Sequence, residues 1–89
     1  MVVFILSAST NVDGPVAYGV LGVYMDHGTA IDAYNALVDE ALASDEKIMV
    51  ERSNVGAILH ETTFTMGILS LERHEIKGPL LQLLAPSAN

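Results

Sequence analysis

The chain contains no cysteine, which removes a disulfide framework, a thiol nucleophile and any thiolate metal site together. Basic residues are scarce: four Lys and Arg stand against 11 Asp and Glu, for a net charge of −7. No basic cluster exists to displace counterions from a phosphate backbone, so direct nucleic-acid binding is not expected. The imbalance comes from missing lysine more than from dense carboxylate, and solubility accounts for it. No apolar run approaches the roughly 18 to 20 residues needed to cross a bilayer. The start, Met1 to Leu6, lacks the basic region and small-residue cleavage site of a signal peptide. A soluble cytoplasmic protein with no membrane association is the expectation. Repeats, low-complexity tracts and linkers are missing too, so residues 1–89 read as a single domain.

Apolar residues are what the chain has in plenty. They make up 51% of it, and the mean hydropathy is +0.40. A chain this short buries only roughly 60 to 65% of the surface its unfolded form exposes. Apolar area is therefore left for a partner, most simply a second copy, and a homo-oligomer is expected.

The organising stretch runs from Val16 to Ala43. Val16 to Met25 is almost wholly apolar, with β-branched and aromatic residues favouring a strand. Gly19 and Gly22 mark that strand as bulged, bent or closely approached. Asp26, His27 and Gly28 supply turn chemistry, and Thr29 offers an N-cap hydroxyl with Asp32 three residues on. A helix is predicted from Thr29 to about Ala43. Ile31, Tyr34, Leu37, Val38, Ala41 and Leu42 form its packing face, while Asp32, Asn35, Asp39 and Glu40 form a wet, acidic one. Its exit through Ala43, Ser44 and Asp45 has no glycine cap and no base to complement the dipole.

Around this unit, Val2 to Leu6 reads as a strand covered on both faces. Asn11 to Pro15 reads as the hairpin loop joining it, antiparallel, to the next strand. Lys47 to Arg52 suits a short strand, interrupted by Ser53 and Asn54. Val55 to Glu61 is open between a helical turn and a strand. Thr62 to Ile76 is β-structure, either one long strand or a hairpin turning near Met66 and Gly67. Pro79 can open a short helix, and residues 79–89 form an apolar arm in which Leu80, Leu81, Leu83 and Leu84 cap a sheet face or dock on another subunit. The fold predicted is α+β: an antiparallel sheet of about four strands with one main helix on one face, in β-β-α-β-β order.

Chemistry-bearing patterns are weak. In the hairpin version Glu61 faces the neighbourhood of Arg73 and His60 that of His74, which could gather His60, Glu61, His74 and Glu75 into a metal or small-ligand site, with or without catalysis. No zincin-type spacing supports it. Among the tyrosines, Tyr18, Tyr24 and Tyr34 can line a pocket or serve as core residues. No serine or threonine lies in a nucleophile motif, Gly19 and Gly22 are not a phosphate loop, and no cofactor is called for. The leading expectation is a non-enzymatic interaction protein that uses Asp32, Asn35, Asp39 and Glu40, or the leucines at 80, 81, 83 and 84, to engage a protein partner.

One resemblance bears on origin. The Val-Phe-Ile-Leu start, the strand ending in Gly22, Val23 and Tyr24, and Thr29, Ala30, Ala33 and Leu37 on a helix together resemble the front half of small uncharacterised α+β proteins of bacteriophages and prokaryotes. The likeness covers about Met1 to Ala43. It implies a fold and a phage-like origin, and with that a host cytoplasm, but no activity and no functional residue; a phage accessory or inhibitory role is what the small size, negative charge and missing catalytic motif fit.

Overall fold

The computed structural model describes residues 1–10 and 18–76. Within them the order is β1 (Val2–Thr10), β2 (Tyr18–Tyr24), α1 (His27–Ala43), β3 (Ile48–Val55), β4 (Ile58–Phe64) and β5 (Gly67–Glu75). The expected loop at Asn11 to Pro15 and the arm and short helix after Pro79 lie outside the described residues. The α+β class, the antiparallel sheet and the one main helix stand; among the described residues the strand count is five, not four, and the order is β-β-α-β-β-β.

The additional strand is β4. Ser53 and Asn54 do not interrupt β3 but lie inside it, with Asn54 taking a φ of 54°, a conformation that asparagine tolerates better than most residues. Gly56 follows at φ 59° in the first place of the two-residue turn between Val55 and Ile58, where hairpin turns favour glycine. The chain reverses there and β4 pairs back along β3.

The strands are arranged β2-β1-β5-β4-β3, every neighbour antiparallel. β1 is an inner strand flanked by β2 and β5, as its unbroken apolar run requires. β2 carries a bulge: Leu6 lies opposite Gly22 and Ser7 opposite Val20, leaving Leu21 unmatched. β3 has its own at Met49, between the Ile48–Phe64 and Val50–Thr63 pairs. The two edge strands are thus both bulged, a device that discourages further strand addition.

α1 links one edge strand to the other and lies over β1, β5 and β2. Its cap is Asp26 rather than Thr29. The Asp26 carboxylate accepts hydrogen bonds from the Thr29 amide at 2.8 Å and the Thr29 hydroxyl at 2.9 Å, so the helix starts two residues earlier than the threonine alone suggests. These bonds hold the Asp26 carboxyl below its ordinary value, the amide contributing most. At the far end Asp45 adopts φ 63°, taking the left-handed position that glycine usually fills.

Phe4, Leu6, Ala30, Tyr34 and Leu71 form the core, joined by Val2, Tyr24, Ile31, Ala33, Leu37, Val38, Leu59 and Leu69. Leu42 sits at the flank of the helical stripe and is 43% exposed. Period-two alternation then fixes the sheet's faces. Phe4, Leu6, Leu69 and Leu71 look toward the helix, and Val3, Ile5, Ser7, Ser70, Glu72 and His74 look away from it.

Candidate functional site

Exposure separates the sheet into a packed middle and a bare flank. All eight residues of β3 are exposed, including Ile48, Met49, Val50 and Val55 at 38, 64, 54 and 48%. β2 is also apolar on its outer side, with Val20, Leu21 and Val23 each about half exposed and Met25 following just beyond the strand. Large apolar side chains set together on one edge are more than the scattered surface leucines of an ordinary monomer. On β3 they are punctuated by Arg52, which holds Glu61 of β4 through Nη2 at 2.7 Å and Nε at 2.8 Å.

The acidic helix face is where the periodicity placed it: Asp32, Asn35, Asp39 and Glu40 are all exposed. Asn35 also borders a cleft of about 200 Å³ between α1 and the β3–β4 hairpin. Tyr34, His60, Thr62, Glu51 and Ser53 line the same cleft. Ser53 lies opposite His60, and Glu51 opposite Thr62. The Tyr34 and Thr62 hydroxyls are hydrogen-bonded to each other, and the His60 ring stacks on Tyr34 with centroids 5.7 Å apart. Burial pushes the Tyr34 phenol above its ordinary value, against the Thr62 hydrogen bond that favours the phenolate; Glu51 and Glu61 add to the rise. The phenol is thereby held protonated as a structural donor or acceptor and is not poised as a base.

The remaining proposed ligands do not converge. His60 faces α1 from β4, opposite Leu71. His74 lies on the other face of β5, opposite Val3, where its Nε2 meets Glu72 at 2.9 Å. Glu61 pairs with Arg52 and not with Arg73, and Glu75 sits at the end of β5 opposite Val2. The physical cause is the turn. The hairpin reverses between Phe64 and Gly67, and Gly67 serves inside β5, where a Cβ would come within 2.6 Å of the Ser9 carbonyl. His60 consequently meets Leu71, three positions short of His74, and an odd displacement sends the two imidazoles to opposite faces. No cluster of three or more metal-ligating side chains occurs among the described residues. The third histidine, His27, packs against the Phe4 ring. None of the three hydrogen-bonds to a serine or threonine hydroxyl among the described residues, which leaves no nucleophile and base in contact.

Tyr24 and Tyr34 belong to the core assembly; the side chain of Tyr18 and the leucines at 80, 81, 83 and 84 lie outside the described residues. No helix among the described residues is long and apolar enough to cross a membrane. The β3 edge is the feature that sequence reasoning passed over, since an apolar-centred strand does not say whether it is inner or outer in a sheet. Comparison with family models, with curated proteins and with solved structures gave no match.

Proposed function

We propose that this chain is a non-enzymatic protein-interaction module that binds through the apolar side chains of β3, with the exposed acidic face of α1 as a second, charged contact, and that its simplest partner is another copy of itself. The observation that carries this reading is the exposure of all eight β3 residues, four of them large and apolar. The Met49 bulge supports docking by side chains rather than by continuation of the sheet. Asp32, Asn35, Asp39 and Glu40 then set orientation and partner choice more than raw affinity.

Light scattering on Met49→Glu/Val50→Glu tests the apolar contact. The double variant is expected to lose the self-association, or partner binding, of the parent while its far-ultraviolet circular dichroism is unchanged. An identical oligomeric mass and affinity would remove β3 from the interface. Reversal of that second contact, Asp39→Lys with Glu40→Lys, is expected to weaken partner binding without unfolding, and retained affinity would remove the acidic face.

A further inference from the structure

The cleft between α1 and the β3–β4 hairpin lies apart from the apolar residues of β3, none of which lines it. Its volume of about 200 Å³ is below the roughly 300 to 1,000 Å³ of a site for a drug-sized molecule. It suits a small head group rather than a cofactor. One wall is flat and largely apolar: Tyr34 is buried, the His60 ring is stacked on it at an interplanar angle of 28°, and half-buried Val38 follows one helical turn along. The Tyr34 and Thr62 hydroxyls are occupied with each other.

The other side is made of acceptors. Register puts them there, because Glu51 lies opposite Thr62 and Ser53 opposite His60, and residues paired directly across antiparallel strands project to the same face. Asn35, next to Tyr34 on α1, borders the cleft as well. The Glu51 carboxylate, the Ser53 hydroxyl, the Asn35 side-chain amide and the His60 ring nitrogens make no hydrogen bond among the described residues.

Charge is equally one-sided. Two carboxylates and one guanidinium border the cleft; Arg52 is held by Glu61 at 2.7 Å, so Glu51 has no counter-ion among the described residues. The negative field reaches inside, since Glu51 and Glu61 both act to raise the Tyr34 phenol. A cation rich in N–H donors is the complementary occupant. A metal ion is not, because no cluster of three or more metal-ligating side chains occurs among the described residues. A guanidinium meets each condition. Its flat face suits an aromatic ring, it is less strongly hydrated than an ammonium, and its parallel N–H fork matches the two oxygens of a carboxylate.

We propose that this cleft binds a guanidinium group, with Glu51 as its counter-ion and the His60 ring as its platform. The group arrives either on a free small molecule or as an arginine side chain of a protein. This does not rest on the β3 reading, and the probes below do not report on that contact. The test is a titration of the full chain followed by heteronuclear NMR, at protein concentrations too low for self-association. Three probes are used: ethylguanidinium, a capped Gly-Arg-Gly tripeptide, and urea as a planar but uncharged control. Ethylguanidinium is expected to give saturable shifts at the amides of Asn35, Glu51, Ser53 and His60 with a Kd in the millimolar range, and urea none. A tripeptide affinity close to that of ethylguanidinium assigns the free small molecule as the source, and one at least about tenfold tighter assigns the arginine side chain; the proposal holds in both cases. Glu51→Gln, at an exposed position, is expected to weaken binding by at least about threefold. No saturation of either guanidinium probe by about 50 mM, equal shifts with urea, or an affinity unchanged in Glu51→Gln would each overturn it.

Discussion

β1 and β3 are both apolar at their centres, yet one is locked inside the protein and the other lies open along its length. β1 has Val3 and Leu6 at 1% exposure and a paired strand on each side. Among the described residues β3 has a neighbour on one side only, and it has no buried residue. The difference is one of position, since both runs satisfy the same local preference for extended backbone. Hydrophobic sequence in this chain therefore does two separate jobs: it stabilises where neighbours surround it, and where they do not it constitutes a surface.

Substitutions can break or sharpen that contrast. The largest effect is expected from Leu71→Ala on β5, a fully buried core residue, which should cost about 2 to 5 kcal/mol in urea unfolding. Met49→Ala on β3 should stay within about 0.5 kcal/mol at protein concentrations too low for self-association. Comparable losses at the two positions would mean that β3 is covered in the native protein. Next comes Tyr34→Phe, which leaves the buried Thr62 hydroxyl without its partner and should cost about 1 to 3 kcal/mol. It also has a pH signature. A tyrosine whose folded pKa is raised contributes stability that is complete below its ordinary value of 10.0 and is lost as pH rises toward the folded value. The parent should lose stability above about pH 10, and Tyr34→Phe should flatten that limb of the curve.

Gly67→Ala is expected to cost a similar amount, about 1 to 3 kcal/mol, because the new methyl would meet the backbone carbonyl of Ser9 at 2.6 Å. The equivalent change at Gly19, with open space around it, should be close to silent. Smallest is the helix cap. Asp26 has a lowered pKa, so its contribution is present at neutral pH and fades as the carboxylate takes up a proton below its ordinary 3.8. Asp26→Asn retains an N-cap acceptor, and the acid-side fraying of the helix, followed through the Thr29 amide by NMR, should then lose its pH dependence.

What could be read from sequence follows the range of the interactions involved. The helix and its acidic face were legible because an i, i+3, i+4 pattern is local, and Asp32, Asn35, Asp39 and Glu40 are exposed accordingly. The bulge in β2 was signalled by Gly19 and Gly22, and it falls at the intervening Leu21. The β4–β5 hairpin reverses near Met66, one of the two arrangements open for that stretch. Register was not legible, because Gly67 reads as a turn glycine and is instead a strand glycine that lets Ser9 approach. That single displacement separates His60 from His74. The strand order was equally hidden: β5 inserts between β1 and β4, and nothing within a short window of residues encodes a partner some sixty positions away.

That insertion has a kinetic consequence. Val2 lies opposite Glu75 and Thr10 opposite Gly67, so among the described residues the longest ladder closes between the first strand and the last. Such pairings are slow to find, since the loop entropy must be surrendered before the contacts form. On a ribosome β1 emerges before β5, and the edge that β5 will occupy waits until that strand has been made. Until then the apolar run from Val3 to Leu6 is open to aggregation, although Val3, Phe4 and Leu6 are all buried once folding is complete.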